Sequence, residues 1–179
     1  MSILGFLFPP DPTRGWREYE LVPLVYDFAS GELNGIPAGA PLHQLRSLGK
    51  PGYFREVTQS SNAACYPTLG LEIELTNERV DSFACRFQRL RRDRRGGRKF
   101  AFHPCEIELR RADGESVRIT ADTTLEEVQA QLGGGAVHQD EDGSVLQVRA
   151  GDVWLYFDFD SDGYLRVLDI EPGPEPVES

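Results

Sequence analysis

Short runs in which apolar and polar residues alternate, separated by turn-forming pairs, recur along most of the chain and predict strands more than helices. Leu71, Ile73 and Leu75 alternate with Glu72 and Glu74, which reads as a half-buried strand with the leucines inward and the glutamates outward. A turn near Asn77 and a return strand follow, with Phe83, Cys85 and Phe87 on its inward side. The same period of two places Leu155, Phe157 and Phe159 inward and Trp154, Tyr156, Asp158 and Asp160 outward. The run from Tyr19 to Phe28 is β-rich and is ended by Ser30-Gly31. Only two stretches carry helical spacing. Leu42, Leu45 and Leu48 lie behind Pro41 and before Gly49, and Leu125, Val128 and Leu132 lie behind Thr123-Thr124 and before Gly133.

These two helical stretches begin the same plan twice. The interval from Leu48 to Leu71 equals the interval from Leu132 to Leu155, so two copies at one constant offset are expected, each a short helix followed by an antiparallel meander. In the second copy, Asp-Gly, Gly-Asp and Asp-Gly turns separate four strand candidates between Val137 and Ile170. The predicted fold is α+β, two related halves, each a short helix packed on an antiparallel β-meander. Residues 1–100 would hold an N-terminal arm and the first half, residues 101–172 the second, and residues 173–179 a disordered acidic tail.

Thr123-Thr124-Leu125 through Val128 to Leu132-Gly133, followed by Trp154-Leu-Tyr-Phe-Asp-Phe-Asp-Ser-Asp-Gly-Tyr-Leu, resembles one repeat of the β-lactamase-inhibitor-protein fold. The small lipoprotein of the outer-membrane barrel-assembly machinery is similar in the same respects. If both copies count, the resemblance covers about 130 of the 179 residues. It departs in lacking paired cysteines within each repeat. What it implies is a scaffold that binds other proteins through the face of its sheet.

Composition sets outer bounds. A chain of 179 residues with 40% hydrophobic content should bury roughly 70% of its unfolded surface without staples. Three cysteines with no Cys-x-x-Cys suggest neither a disulfide framework nor a zinc site, and a reducing cytoplasm is the expected setting. The opening ten residues are apolar but are stopped by Pro9-Pro10, too short for a bilayer span and more in keeping with docking on the core than with an anchor.

The net charge of -10 conceals an uneven distribution. Arg86 to Lys99 holds eight basic residues and one acid, which leaves -17 for the rest of the chain. Arg91, Arg92, Arg94, Arg95 and Arg98, interleaved with Phe87, Phe100 and Phe102, could bind nucleic acid; the alternating phenylalanines and the Gly96-Gly97 turn read more simply as a solvated hairpin.

Asp158-x-Asp160-x-Asp162-Gly163 opens like a calcium loop, but the alternation around it is that of a strand, and Arg166 and Asp169 fall where the ninth and twelfth ligands belong. A hairpin turn is expected, with a weak calcium-binding module at Asp158 to Asp162 as an alternative. His43, His103 and His138 form no ligand or catalytic pattern, and His103-Pro104-Cys105 points neighbouring side chains apart. The expectation is a non-catalytic macromolecule-binding protein of the inhibitor or immunity type, without metal or cofactor. The expected partner is a protein, contacted through Trp154, Tyr156, Asp158 and Asp160, with nucleic acid bound through the Arg86 to Lys99 run as the alternative.

Overall fold

The computed structural model describes residues 11–58, 60–88, 102–132, 137–139 and 144–173. Within them, the alternating runs form two sheets and the two helically spaced stretches form two short helices. Strands β1 (Leu24–Asp27), β2 (Glu32–Leu33) and β3 (Ile36–Pro37) come first, followed by the 3-10 helix η1 (Leu42–Ser47). Strands β4 (Tyr53–Glu56), β5 (Ser61–Tyr66), β6 (Leu71–Thr76) and β7 (Arg79–Arg86) form a continuous meander. Then come β8 (Ile107–Arg110), β9 (Ser116–Ile119) and the helix α1 (Leu125–Leu132). A second meander closes the described chain: β10 (Val137–Gln139), β11 (Val145–Ala150), β12 (Val153–Phe159) and β13 (Leu165–Pro172).

Both helices have local causes. Leu42, Leu45 and Leu48 recur every third residue, which matches the three residues per turn of a 3-10 helix and not the α spacing, so Leu45 and Leu48 are both buried. In α1 the backbone N–H of Thr124 donates to Glu127 Oε2 at 2.9 Å, and that of Glu127 donates to Thr124 Oγ1 at 3.4 Å. This reciprocal box fixes the helix start, and Val128 anchors its inner face.

The eight-stranded antiparallel sheet runs β10-β11-β12-β13-β7-β6-β5-β4, so the two meanders meet side by side at β13 and β7. Each central hairpin has one register shift: between Glu74 and Leu75 in β6, and between Asp158 and Phe159 in β12. Asn77 and Glu78, both at positive φ, close the first hairpin with a tight turn whose twist suits the strands. The second sheet runs β3-β2-β1-β8-β9; in it β1 pairs in parallel with β8, so strands on both sides of residue 100 belong to one sheet. Of the β-rich run from Tyr19, only Leu24–Asp27 is strand.

The smaller sheet and the helices cover one face of the larger. Leu24, Tyr26, Ile107 and Leu109 from one sheet join Ile73, Phe83, Leu155, Phe157 and Leu168 from the other in one core with Leu45 and Val128. The inward sets Phe83, Cys85, Phe87 and Leu155, Phe157, Phe159 are buried as their alternation requires. Among the described residues, the opposite face of the large sheet carries a small apolar cluster of Ala63, Cys65 and Phe102, with Tyr53 against it. Glu72 departs from its expected solvent-facing role: it lies on this outer face but is 3% exposed.

Candidate docking face

The outer face of the eight-stranded sheet can be followed residue by residue from its register. Tyr156 on β12 sits opposite Asp169 on β13, Asp169 opposite Ala84 on β7, and Ala84 opposite Glu72 on β6. The neighbouring row holds Arg149, Trp154 and Glu171 on β11, β12 and β13, and on the next two strands, β7 and β6, Ser82 lies opposite Glu74. On the other side, Asp158 is opposite Val167, which is opposite Arg86. Trp154, Tyr156 and Asp158 therefore share one face, as their alternation predicts, and all three are half-buried.

The charges on this face are unevenly matched. Glu72 accepts from Arg55 Nη2 at 3.0 Å and from Arg86 Nη2 at 2.8 Å, so one carboxylate holds two guanidinium groups. Arg166 stands 3.8 Å from Asp158, and the Arg149 guanidinium lies over the Trp154 ring at 5.6 Å. Asp169, Glu171 and Glu74 have no ion-pair partner among the described residues. Burial is the main force pushing the Asp169 carboxyl up to about 6; Arg86 opposes it, while Glu171, Glu74 and Asp158 add to it. Burial, then Asp81 and Glu74, raise Glu171 in the same way. Burial, then Glu171, raise the Tyr156 hydroxyl.

Asp160 does not belong with the other outward residues. Its Oδ1 accepts from the backbone N–H groups of Asp162 and Tyr164, each at 3.0 Å, and its Oδ2 accepts from Gln88 Nε2. These bonds lower its pKa, the Tyr164 amide most, and commit the carboxylate to closing the β12–β13 turn. Among the described residues, no three His, Cys, Asp or Glu side chains gather closely enough to hold a metal ion.

Arg86, the first residue of the basic run, is a strand residue bound to Glu72 and not part of a loop. Arg91, Arg92, Arg94, Arg95 and Arg98 lie outside the described residues, as do residues 1–10 and 174–179. His103 borders an open groove of about 500 Å³ with Leu21, Leu69, Glu108 and Arg118, whereas Cys105 is turned into the core at 0% exposure, so the two do not form a thiol and base pair. Cys85 and Cys105 are buried together. The neighbouring Cys105, then burial, hold the Cys85 thiol well above its usual range. Cys65, on the other face, is pushed up to about 11, chiefly by burial.

Sequence reasoning missed Asp169, Glu171, Glu74 and Ala84. The only signal that could have found them was the alternation within each strand; which strands lie side by side was not legible from it.

No protein-family model matches the chain, and no curated protein matches it in sequence. Among solved structures it is similar to the crystal structure of a cysteine-rich secretory protein from Staphylococcus aureus, at 9% identity and a TM-score of 0.41. The match covers 87% of this chain and 51% of the other, so the chain spans about half the length of that protein.

Proposed function

We propose that the chain is a non-catalytic binding protein that docks a macromolecular partner, a protein, across the outer face of its eight-stranded sheet, in the manner of an inhibitor or immunity protein. The observation that carries this reading is the placement of Trp154 and Tyr156. Two large rings stand half-exposed on β12, flanked by Asp158, Glu171 and Arg149, on a face with little apolar cover among the described residues. Rigid rings rimmed by charge make a binding hot spot, because they desolvate well while losing little side-chain entropy. The three cysteines, all buried thiols, suit a reducing cytoplasm.

We further propose that the two meanders are related halves of one duplicated unit. Each follows a short helix and has four strands in antiparallel order, and the register shift at Glu74/Leu75 corresponds in position to the one at Asp158/Phe159.

The docking reading is tested by capturing a partner on the full chain and comparing Trp154→Ala with Tyr156→Ala in one variant. Binding should weaken by about 2 kcal/mol or more while the fold is retained. A captured partner that this variant holds with undiminished affinity counts against the aromatic face.

A further inference from the structure

Between the two sheets, where β12 begins and β13 ends, lies a cleft of about 210 Å³. Its floor on the large sheet is Phe83 and Ile170, directly opposite each other on β7 and β13, with Val153 of β12 beside them. Pro37 of β3 and the following Ala38 form one wall, and Tyr26 of β1 closes it from the smaller sheet. Ser30 and Asp152 stand exposed at the mouth. The Tyr26 ring is pinned edge to face by Phe28, at 5.5 Å between centroids, and by Phe83, at 6.3 Å. Tyr26 is 2% exposed, yet its hydroxyl has no hydrogen-bond partner among the described residues. Nor is that hydroxyl sealed in, since among those residues the fully enclosed side-chain atom without a partner is Arg86 Nε. The cleft that Tyr26 borders is the way by which the hydroxyl is reached.

We infer that this cleft binds a small uncharged molecule, an aromatic ring carrying one hydrogen-bond acceptor, with the ring over Phe83, Ile170 and Val153 and the acceptor on the Tyr26 hydroxyl. Volume sets the size: a cavity of about 150 Å³ lined by aliphatic and aromatic side chains takes up benzene, so this cleft admits a ring with a short substituent. The lining sets the polarity. A buried hydroxyl that donates to nothing is unfavourable, and water is a poor remedy here, because an ordered water needs several polar contacts where floor and wall offer carbon. A carbonyl oxygen satisfies the hydroxyl while the attached ring packs on the apolar floor. Burial pushes the Tyr26 hydroxyl up to about 12, so it remains a neutral donor at physiological pH. An anion is disfavoured, since no lysine or arginine lines the cleft and Asp152 stands at its mouth. Val153 faces inward and Trp154 outward, so the cleft is separate from the docking face on the other side of the large sheet.

The test titrates the full chain, labelled for amide and methyl NMR, with acetophenone and with ethylbenzene, which has the same carbon skeleton without the carbonyl. Both should give saturable shifts centred on Ala38, Val153 and Ile170. Tyr26→Phe keeps the ring and removes the donor; it should weaken acetophenone about five-fold and change ethylbenzene by less than about two-fold. Ala38→Leu fills the cleft from its wall and should weaken both probes by about ten-fold or more. Tyr26→Phe decides the matter alone if Ala38→Leu does not fold. Absence of saturable shifts, or shifts centred away from the cleft, overturns the inference. Equal weakening of both probes by Tyr26→Phe, undiminished acetophenone affinity in that variant, or indifference of both probes to a folded Ala38→Leu overturns it as well. The docking reading stands or falls separately, on capture by the Trp154 and Tyr156 variant.

Discussion

Asp169 illustrates what a single side chain on this face costs. Its carboxyl is raised to about 6, so the folded chain holds that proton more tightly than the unfolded chain, whose aspartates titrate near 3.9. The resulting penalty is absent below about pH 4, grows between 4 and 6, and is complete above 6. Asp169→Asn, which keeps the shape and removes the charge, should therefore stabilise the protein at pH 7.5 by about 1–3 kcal/mol, and the gain should vanish at pH 4. Urea unfolding at the two pH values measures it; equal gains at both would show that charge is not the cause. Nothing in Leu168-Asp169-Ile170 announces this, since the alternation assigns Asp169 only to an outward position. Its burial comes from β7, a strand of the first meander far earlier in the chain, where Ala84 sits directly opposite. Cys85 was legible for the converse reason: Phe83 and Phe87 on its own strand already declare the inward face.

Single elements were the most readable level because their causes are local. The hairpin turn at Asp160 is a case in which one short motif supports two readings, and hydrogen bonding favours one of them. Asp160 accepts two backbone N–H bonds within its own turn and a third from Gln88, which leaves the carboxylate engaged without any ion. Asp160→Ala should lower the melting temperature equally with and without millimolar calcium. A calcium-dependent rise in the native chain that the variant abolishes would restore the metal reading. The 3-10 helix teaches a related lesson. Three leucines at spacing three satisfy a helical pattern, and their strict period selects the tighter helix, with Leu45 fully buried. Glu72 was misjudged because its strand alternates correctly while two arginines, Arg55 on β4 and Arg86 on β7, converge over it from either side. Strand periodicity assigns the face of a residue, and only the sheet order tells how deeply its neighbours cover it.

At the scale of the whole molecule, the α+β class and the antiparallel meanders were legible because each strand is joined to the next by a short turn. The smaller sheet was not, since β1 and β8 pair in parallel across the whole of the first meander, a separation for which no local pattern exists. That pairing bears on how the chain folds. A division at residue 100 cuts the smaller sheet between β1 and β8, removing Ile107, Leu109, Val117 and Ile119 from the core over the first meander. It also separates β7 from β13, the strand that pairs along one side of it. Two meanders can still be one cooperative unit when strands beyond each supply part of its cover. Residues 1–100 produced alone should therefore lack a cooperative unfolding transition and show collapsed amide dispersion, and mixing with residues 101–179 should restore both. A sharp urea transition for residues 1–100 by themselves would instead establish the first half as an independent domain, with β8 and β9 an accessory to it.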